Sequence, residues 1–322
     1  MTTFKKIGIL WGGGLGDLLV LRPFLKAVHA KPEIDSYLLT TATHSTELFE
    51  ELCSPSKVIL LKREGRHILR QIRNWYGFFD LVYLGPYPTF KTRLLGDLIA
   101  PGKLWCRINH TKSAFLLEQI CSDTIALGLA DGYNNRVFST FLPWNISRTA
   151  NPFENYEKFI VLHPGAKEKW ETTCWPIENW KRLIQRILEE TTFSITIVGT
   201  VKEASKIQMI CNSFSASDRQ RIKSYLSRPL KDIASLIASS TGVVCHNSGI
   251  LHLSTLLEMK TVCITGSSAK YWRPDYPWVI NVTSDACKLA CNKYRCPIPF
   301  YNAKCIANIT VDDVWKKFIF SF

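Results

Sequence analysis

The stretch "VVCHNSGILHLSTLLE", residues 243–258, reads as a strand that stops abruptly and restarts as a helix. Asn247, Ser248 and Gly249 occupy the turn, and His252 sits one helical turn further in. The first backbone N–H groups of a helix have no internal partners and carry partial positive charge, so such a mouth suits an anion. An ordinary strand–turn–helix with an Asn or Ser cap fits the same letters.

Outward from that turn, short apolar runs alternate with amphipathic stretches, as parallel α/β layers require. In the first half the strand candidates are "KIGILW" (6–11), "SYLLTT" (36–41), "KVILL" (57–61), "FDLVYLG" (79–85) and "KLWCRI" (103–108). Helix-like segments lie between them, and a long one follows near 112–129. The polar, turn-rich "SRTANPFENYEK" (147–158) reads as a linker. The pattern then restarts with "FIVLHPG" (159–165), a helix over 176–190, "SITIVGT" (194–200) and a helix near 202–213. "PLKDIASLIASS" (229–240), the 243–258 unit, "TVCITG" (261–266) and "PWVINV" (277–282) complete it. The predicted fold class is α/β, with two Rossmann-like doubly wound units, residues 1–150 and 151–322, facing a central cleft. A Thr310-x-x-Asp313 capping box opens a terminal helix.

Composition bounds the function. A chain of 322 residues is long for one core and comfortable for two. Hydrophobic and charged contents of 46% and 21% describe an ordinary globular protein. No apolar run reaches about 18 residues, so a spanning helix is not expected. The N-terminus has no signal-peptide cleavage site, so the expected compartment is the cytoplasm. The net charge of +13 favours a polyanionic partner: phosphates, an anionic membrane surface or nucleic acid. In "KREGRHILRQIR" (62–73), Arg63, Arg66, Arg70 and Arg73 fall near one helix face, either as a binding stripe or as a solvated surface.

Seven of the eleven cysteines are scattered, several in apolar runs where reduced core thiols belong. The other four, Cys287, Cys291, Cys296 and Cys305, lie within 19 residues of a Pro-containing loop. They predict a tetrahedral thiolate knuckle for structural Zn or Fe, with disulfides or free thiols as alternatives.

"LWGGGLGDLLVLRP" (10–23) opens the first unit with Gly12, Gly13, Gly14 and Gly16, which let the backbone turn tightly and admit a ligand. The dinucleotide fingerprint fails because it needs Gly where Asp17 stands, and the second strand ends without a ribose-binding acid. A P-loop is excluded for lack of Gly-Lys-Ser/Thr. What remains is Asp17 at a helix start, either a cap or a general base for a hydroxyl nucleophile. In the second unit "HPGAKEKW" leaves a strand into a loop with Lys167 and Lys169, and "VGTVKE" places Glu203 where it could grip ribose hydroxyls. With the Asn-Ser-Gly turn, these residues outline a nucleotide-diphosphate site at strand carboxyl ends.

The order Gly16, Asp17, Pro23 in "GDLLVLRP", then "HPGA", "WPIENW", "PLKDIASLIASS" and "NSGILHL" resembles glycosyltransferase family 9 from about residue 7 to 315. The resemblance implies a GT-B fold and an inverting transfer, independent of metal, from an ADP-sugar such as ADP-heptose to a lipopolysaccharide core hydroxyl. It implies Asp17 as base, Ser248, Gly249 and His252 as the diphosphate-binding turn, and Glu203 as the acid near the ribose; to these donor-binding residues the departures below add Lys167 or Lys169 for the diphosphate and Asn247 for the sugar. Gly14, Gly16, Arg63, Arg66 and Arg70 would bind the acceptor, with peripheral contact to the cytoplasmic face of the inner membrane. Two departures stand out: Asn247 replaces the usual Asp, and Thr173 and Cys174 precede Trp175 where the family usually carries Lys or Arg. A family enzyme with a protein acceptor, and a non-enzymatic nucleic-acid binder using the Cys knuckle, are the alternatives.

Overall fold

The computed structural model describes residues 4–11, 14–40, 57–61, 70, 72–85, 88–105, 116–130, 146, 151–153, 158–165, 174–266, 272–284, 286, 296, 298 and 304–322. The chain divides into two compact units, Met1–Pro143 and Trp144–Phe322.

The first unit is built on five parallel strands: β1 (Lys6–Leu10), β2 (Asp35–Thr40), β3 (Lys57–Leu60), β4 (Leu81–Tyr83) and β5 (Leu104–Trp105). Their order is β3-β2-β1-β4-β5. A parallel sheet is covered on both faces, so its strands read as nearly continuous apolar runs, and Ile7, Ile9, Leu38 and Leu39 are fully buried. Helices α1 (Leu15–His29), α2 (Phe90–Ile99) and α3 (Leu116–Ala126) accompany the sheet. Phe24 of α1 stacks on Tyr83 with centroids 4.1 Å apart, and the Tyr83 hydroxyl donates to Asp123 of α3 at 2.9 Å. Gly85 follows β4 with φ +74°, and a Cβ there would lie 2.1 Å from the Trp11 ring. Only glycine meets both conditions.

The second unit carries six parallel strands: β6 (Phe159–His163), β7 (Ser194–Gly199), β8 (Ile222–Leu226), β9 (Gly242–His246), β10 (Thr261–Ile264) and β11 (Val279–Val282). Their order is β11-β10-β9-β6-β7-β8. Counted within the unit this is the 3-2-1-4-5-6 arrangement, read from the other edge, with the order reversing between β6 and β9. Helix α4 (Ile177–Glu190) buries Trp180, Leu183, Ile184, Ile187 and Leu188, one face at helical spacing, and turns ion-paired Lys181 and Arg186 outward. The sequence reading expects one helix near 202–213. The chain instead makes a 3₁₀ turn (Val201–Glu203) and then α5 (Ala204–Cys211), because Thr200 and Glu203 close a tight capping box.

Nothing in the periodicity of "IKSYL" announces a strand, yet Ile222–Leu226 is β8, after the single-turn α6 (Ala216–Arg219). It is an edge strand with Lys223 and Ser224 exposed, so it needs no continuous apolar run. Helices α7 (Leu230–Ser239), α8 (Gly249–Leu256), α9 (Lys304–Ala307) and α10 (Val311–Ser321) complete the described helices of the second unit. Thr310 and Asp313 form the expected box, at 2.9 and 3.1 Å, and α10 presses Val314, Trp315 and Phe318 into the core. Among the described residues no helix is long and apolar enough to cross a membrane.

Candidate functional site

In doubly wound sheets ligands bind beyond the carboxyl ends of the strands, where the strand order reverses. In the second unit that point lies between His163, which ends β6, and His246, which ends β9. The "VVCHNSGILHLSTLLE" turn follows directly. Ser248 is the N-cap residue of α8, but its side chain makes no capping bond. Its Oγ lies instead 3.2 Å from Nδ1 of His163. The first-turn amides of α8 therefore have no side-chain cap, the condition an incoming anion requires.

His163 faces Glu203 on its other side, with Nε2 3.8 Å from Oε1. At that separation the pair makes no direct hydrogen bond, and the direction of the Ser248–His163 bond follows the tautomer of the ring. Glu203 is itself fixed, since Oε2 accepts from the Thr200 backbone N–H at 2.7 Å and from its hydroxyl at 2.9 Å. The expected ribose-gripping acid is thus also the cap of its own turn. Gly165 passes so close that a Cβ there would lie 1.7 Å from Glu203 Oε1, which is why "HPG" needs its glycine. Burial lowers the His163 pKa, with Glu203 opposing and Lys206 adding to the shift.

Two further histidines are held neutral. The Trp175 backbone N–H donates to Nε2 of His246 at 3.0 Å, so Nδ1 carries the proton, 3.2 Å from the Gly165 carbonyl. Burial pushes His246 down to about 3, despite that carbonyl. His252, buried with its ring 6.3 Å from Trp272, is pushed by burial down to about 4. At neutral pH it can donate a hydrogen bond but carries no charge. Asn247 donates through Nδ2 to the Trp272 carbonyl at 3.3 Å, a bond that Asp could not make.

Sequence reasoning missed three residues here. His163 and Trp175 lie in quoted motifs, but their partners are 85 and 71 residues away. Lys206 follows Glu203 by one helical turn and donates to the Pro164 carbonyl at 3.3 Å, which puts a cation beside the turn. Lys167 and Lys169 lie outside the described residues.

In the first unit Gly14 is the N-cap of α1, Gly16 lies in its first turn, and the Asp17 carboxylate accepts from the Gly14 backbone N–H. Asp17 is half-buried. Arg70 is exposed, while Arg63 and Arg66 lie outside the described residues. Of the four clustered cysteines, Cys296 is half-buried and Cys305 buried, and Cys287 and Cys291 lie outside the described residues. Among the described residues no group of three or more His, Cys, Asp or Glu could hold a metal ion.

The profile of glycosyltransferase family 9 (heptosyltransferase) matches residues 115–302, more than half of the chain, and includes the whole of the 243–258 turn. The chain belongs to glycosyltransferase family 9. As a family 9 member it is a glycosyltransferase, which sets aside the non-enzymatic nucleic-acid binder. Solved structures share its GT-B fold. It resembles the ADP-heptose lipopolysaccharide heptosyltransferase II of E. coli at 16% identity and TM-score 0.70, over 98% of this chain and 97% of that one. A family 9 glycosyltransferase from Veillonella parvula is similar at 15% identity and TM-score 0.73, over 98% and 96%. The iron-containing heptosyltransferase TibC of E. coli, solved with ADP-D-β-D-heptose, is similar at 12% identity and TM-score 0.63, over 98% and 75%. No curated protein matches the sequence.

Proposed function

We propose that this family 9 enzyme moves a heptose-like sugar from an ADP-sugar to a hydroxyl of a lipopolysaccharide core, with inversion at the anomeric carbon. The observation that supports it is the uncapped start of α8. Ser248 is drawn away to His163, while Glu203 and Lys206 stand beside it.

In this reading the second unit holds the donor. The α8 amides at Gly249 and after it, with Ser248 and Lys206, receive the diphosphate, and Lys167 and Lys169 add charge. Glu203 meets the ribose, and Asn247 the sugar. The first unit holds the acceptor through Gly14, Gly16 and the basic Arg63, Arg66 and Arg70 stripe. Asp17 takes the proton of the attacking hydroxyl as the new C–O bond forms. The bond to the diphosphate breaks on the opposite face, and ADP leaves with its charge met by the helix amides. His252, being neutral, contributes at most a hydrogen bond to that charge.

The enzyme works in the cytoplasm against a membrane-borne acceptor, and the four-cysteine loop holds one structural Zn or Fe. A protein acceptor is the second reading, supported by that loop. Freshly reduced protein should carry one equivalent of metal by elemental analysis, and metal-free protein of full activity and stability would remove the knuckle from the account.

The decisive experiment is calorimetric titration with a panel of ADP-, UDP- and GDP-sugars. ADP-heptose should bind best, and Ser248→Ala should weaken it. Equal binding of UDP- and ADP-sugars would overturn the donor assignment.

A further inference from the structure

Among the described residues, helix α2 carries an apolar face that stays exposed. Its inner side is satisfied: Gly96 and Ile99 are buried, Leu95 packs on the first unit's core, and a Cβ at Gly96 would lie 3.0 Å from Leu104. Its start is capped, with Thr89 Oγ1 accepting from the Thr92 backbone N–H at 3.2 Å. Yet Phe90, Leu94 and Leu98, spaced i, i+4 and i+8, form one outer stripe and are 80%, 49% and 44% exposed. Tyr76, 66% exposed, joins them at the C-terminal end, where the Gly77 N–H donates to the Ile99 carbonyl at 2.9 Å.

Charge identifies the occupant. Residues 57–112 hold eleven Lys and Arg against three Asp and Glu, a net +8 of the chain's +13. Lys91 on the same helix and Arg70 and Arg73 in the segment leading to Tyr76 are exposed, and among the described residues of this stretch Asp80 and Asp97 are the exposed acids. Four side chains offer on the order of 500 Å² at most, against about 800 Å² per partner in a standard protein interface. A bilayer needs no matching pocket, and apolar insertion and anionic headgroup attraction add.

We propose that the outer face of α2, with Tyr76, rests on an anionic lipid bilayer. Phe90, Leu94 and Leu98 enter the headgroup boundary, and Lys91, Arg70 and Arg73 meet lipid phosphates. This deepens the reading of a membrane-borne acceptor by naming the surface that reaches it.

The test is flotation of the full chain with phosphatidylglycerol–phosphatidylcholine vesicles and with pure phosphatidylcholine vesicles. Wild type should float with the former, less so as salt rises, and Phe90→Ser Leu94→Ser should lower the partition by at least about tenfold. Leu98→Ser should lower it less, and Phe320→Ser, at an 83% exposed aromatic of the second unit, should leave it unchanged. Indifference of wild type to the anionic vesicles, or equal binding by the double variant, overturns the proposal. So does a wild-type dimer in sedimentation that the double variant turns into monomer, which would make the face a contact between copies. ADP-sugar titration of the same preparations separates the two readings. Normal flotation without ADP-sugar binding would sink the donor assignment and leave the membrane face standing.

Discussion

Asp17 closes the first turn of α1 by accepting from Gly14. An amide oxygen can accept the same bond, so Asp17→Asn keeps the cap and loses only the ability to take a proton. Its kcat should fall by roughly 10²–10⁴ while ADP-sugar affinity holds. Wild-type turnover in that variant would reduce Asp17 to a cap. The buried histidines carry a second consequence. Folding lowers His252 from 6.5 to about 4 and His246 to about 3, so the unfolded chain binds more protons in the interval. Their contribution is therefore full above 6.5 and is lost as pH falls toward 4 and then 3. For His252 that gap is on the order of 3 kcal/mol. Urea midpoints for the second unit should hold steady above neutrality and drop on acidification, less steeply in His252→Phe. A midpoint indifferent to acid would show that these rings are solvated. At this scale the turn residues Ser248 and Gly249 were legible because turn chemistry is local. His163 and Lys206 were not, since each meets its partner across a long sequence gap.

Among elements, the alternation of apolar runs placed most strands to within a residue or two, because both faces of a parallel sheet must be covered. The edge strand β8 escaped that logic, and the reason "WPIENW" carries two tryptophans was also hidden. Trp175 is a peg. Its backbone N–H binds His246, its indole Nε1 donates to the Ile309 carbonyl at 2.7 Å, and its ring meets Trp180 edge-on at 5.4 Å. Trp175→Phe keeps the backbone bond and most of the apolar surface but strands the Ile309 carbonyl, so the second unit should lose about 1–3 kcal/mol. A urea midpoint unchanged from wild type would show that water replaces the indole there.

At the scale of the molecule, both sheets share one doubly wound order, though no internal sequence repeat announces it. Topology follows from right-handed crossovers and burial, which many unrelated sequences satisfy. The Trp175–Ile309 bond, 134 residues long in sequence, sets a timetable for synthesis. A ribosome adding about 5–20 residues per second needs on the order of ten seconds to travel from one partner to the other. The first unit has all its described strands before that interval opens. The second must wait, with Trp175 and the face that receives Phe318 uncovered, until nearly the whole of it has emerged. It is therefore the half of the nascent chain that chaperones would have to shelter.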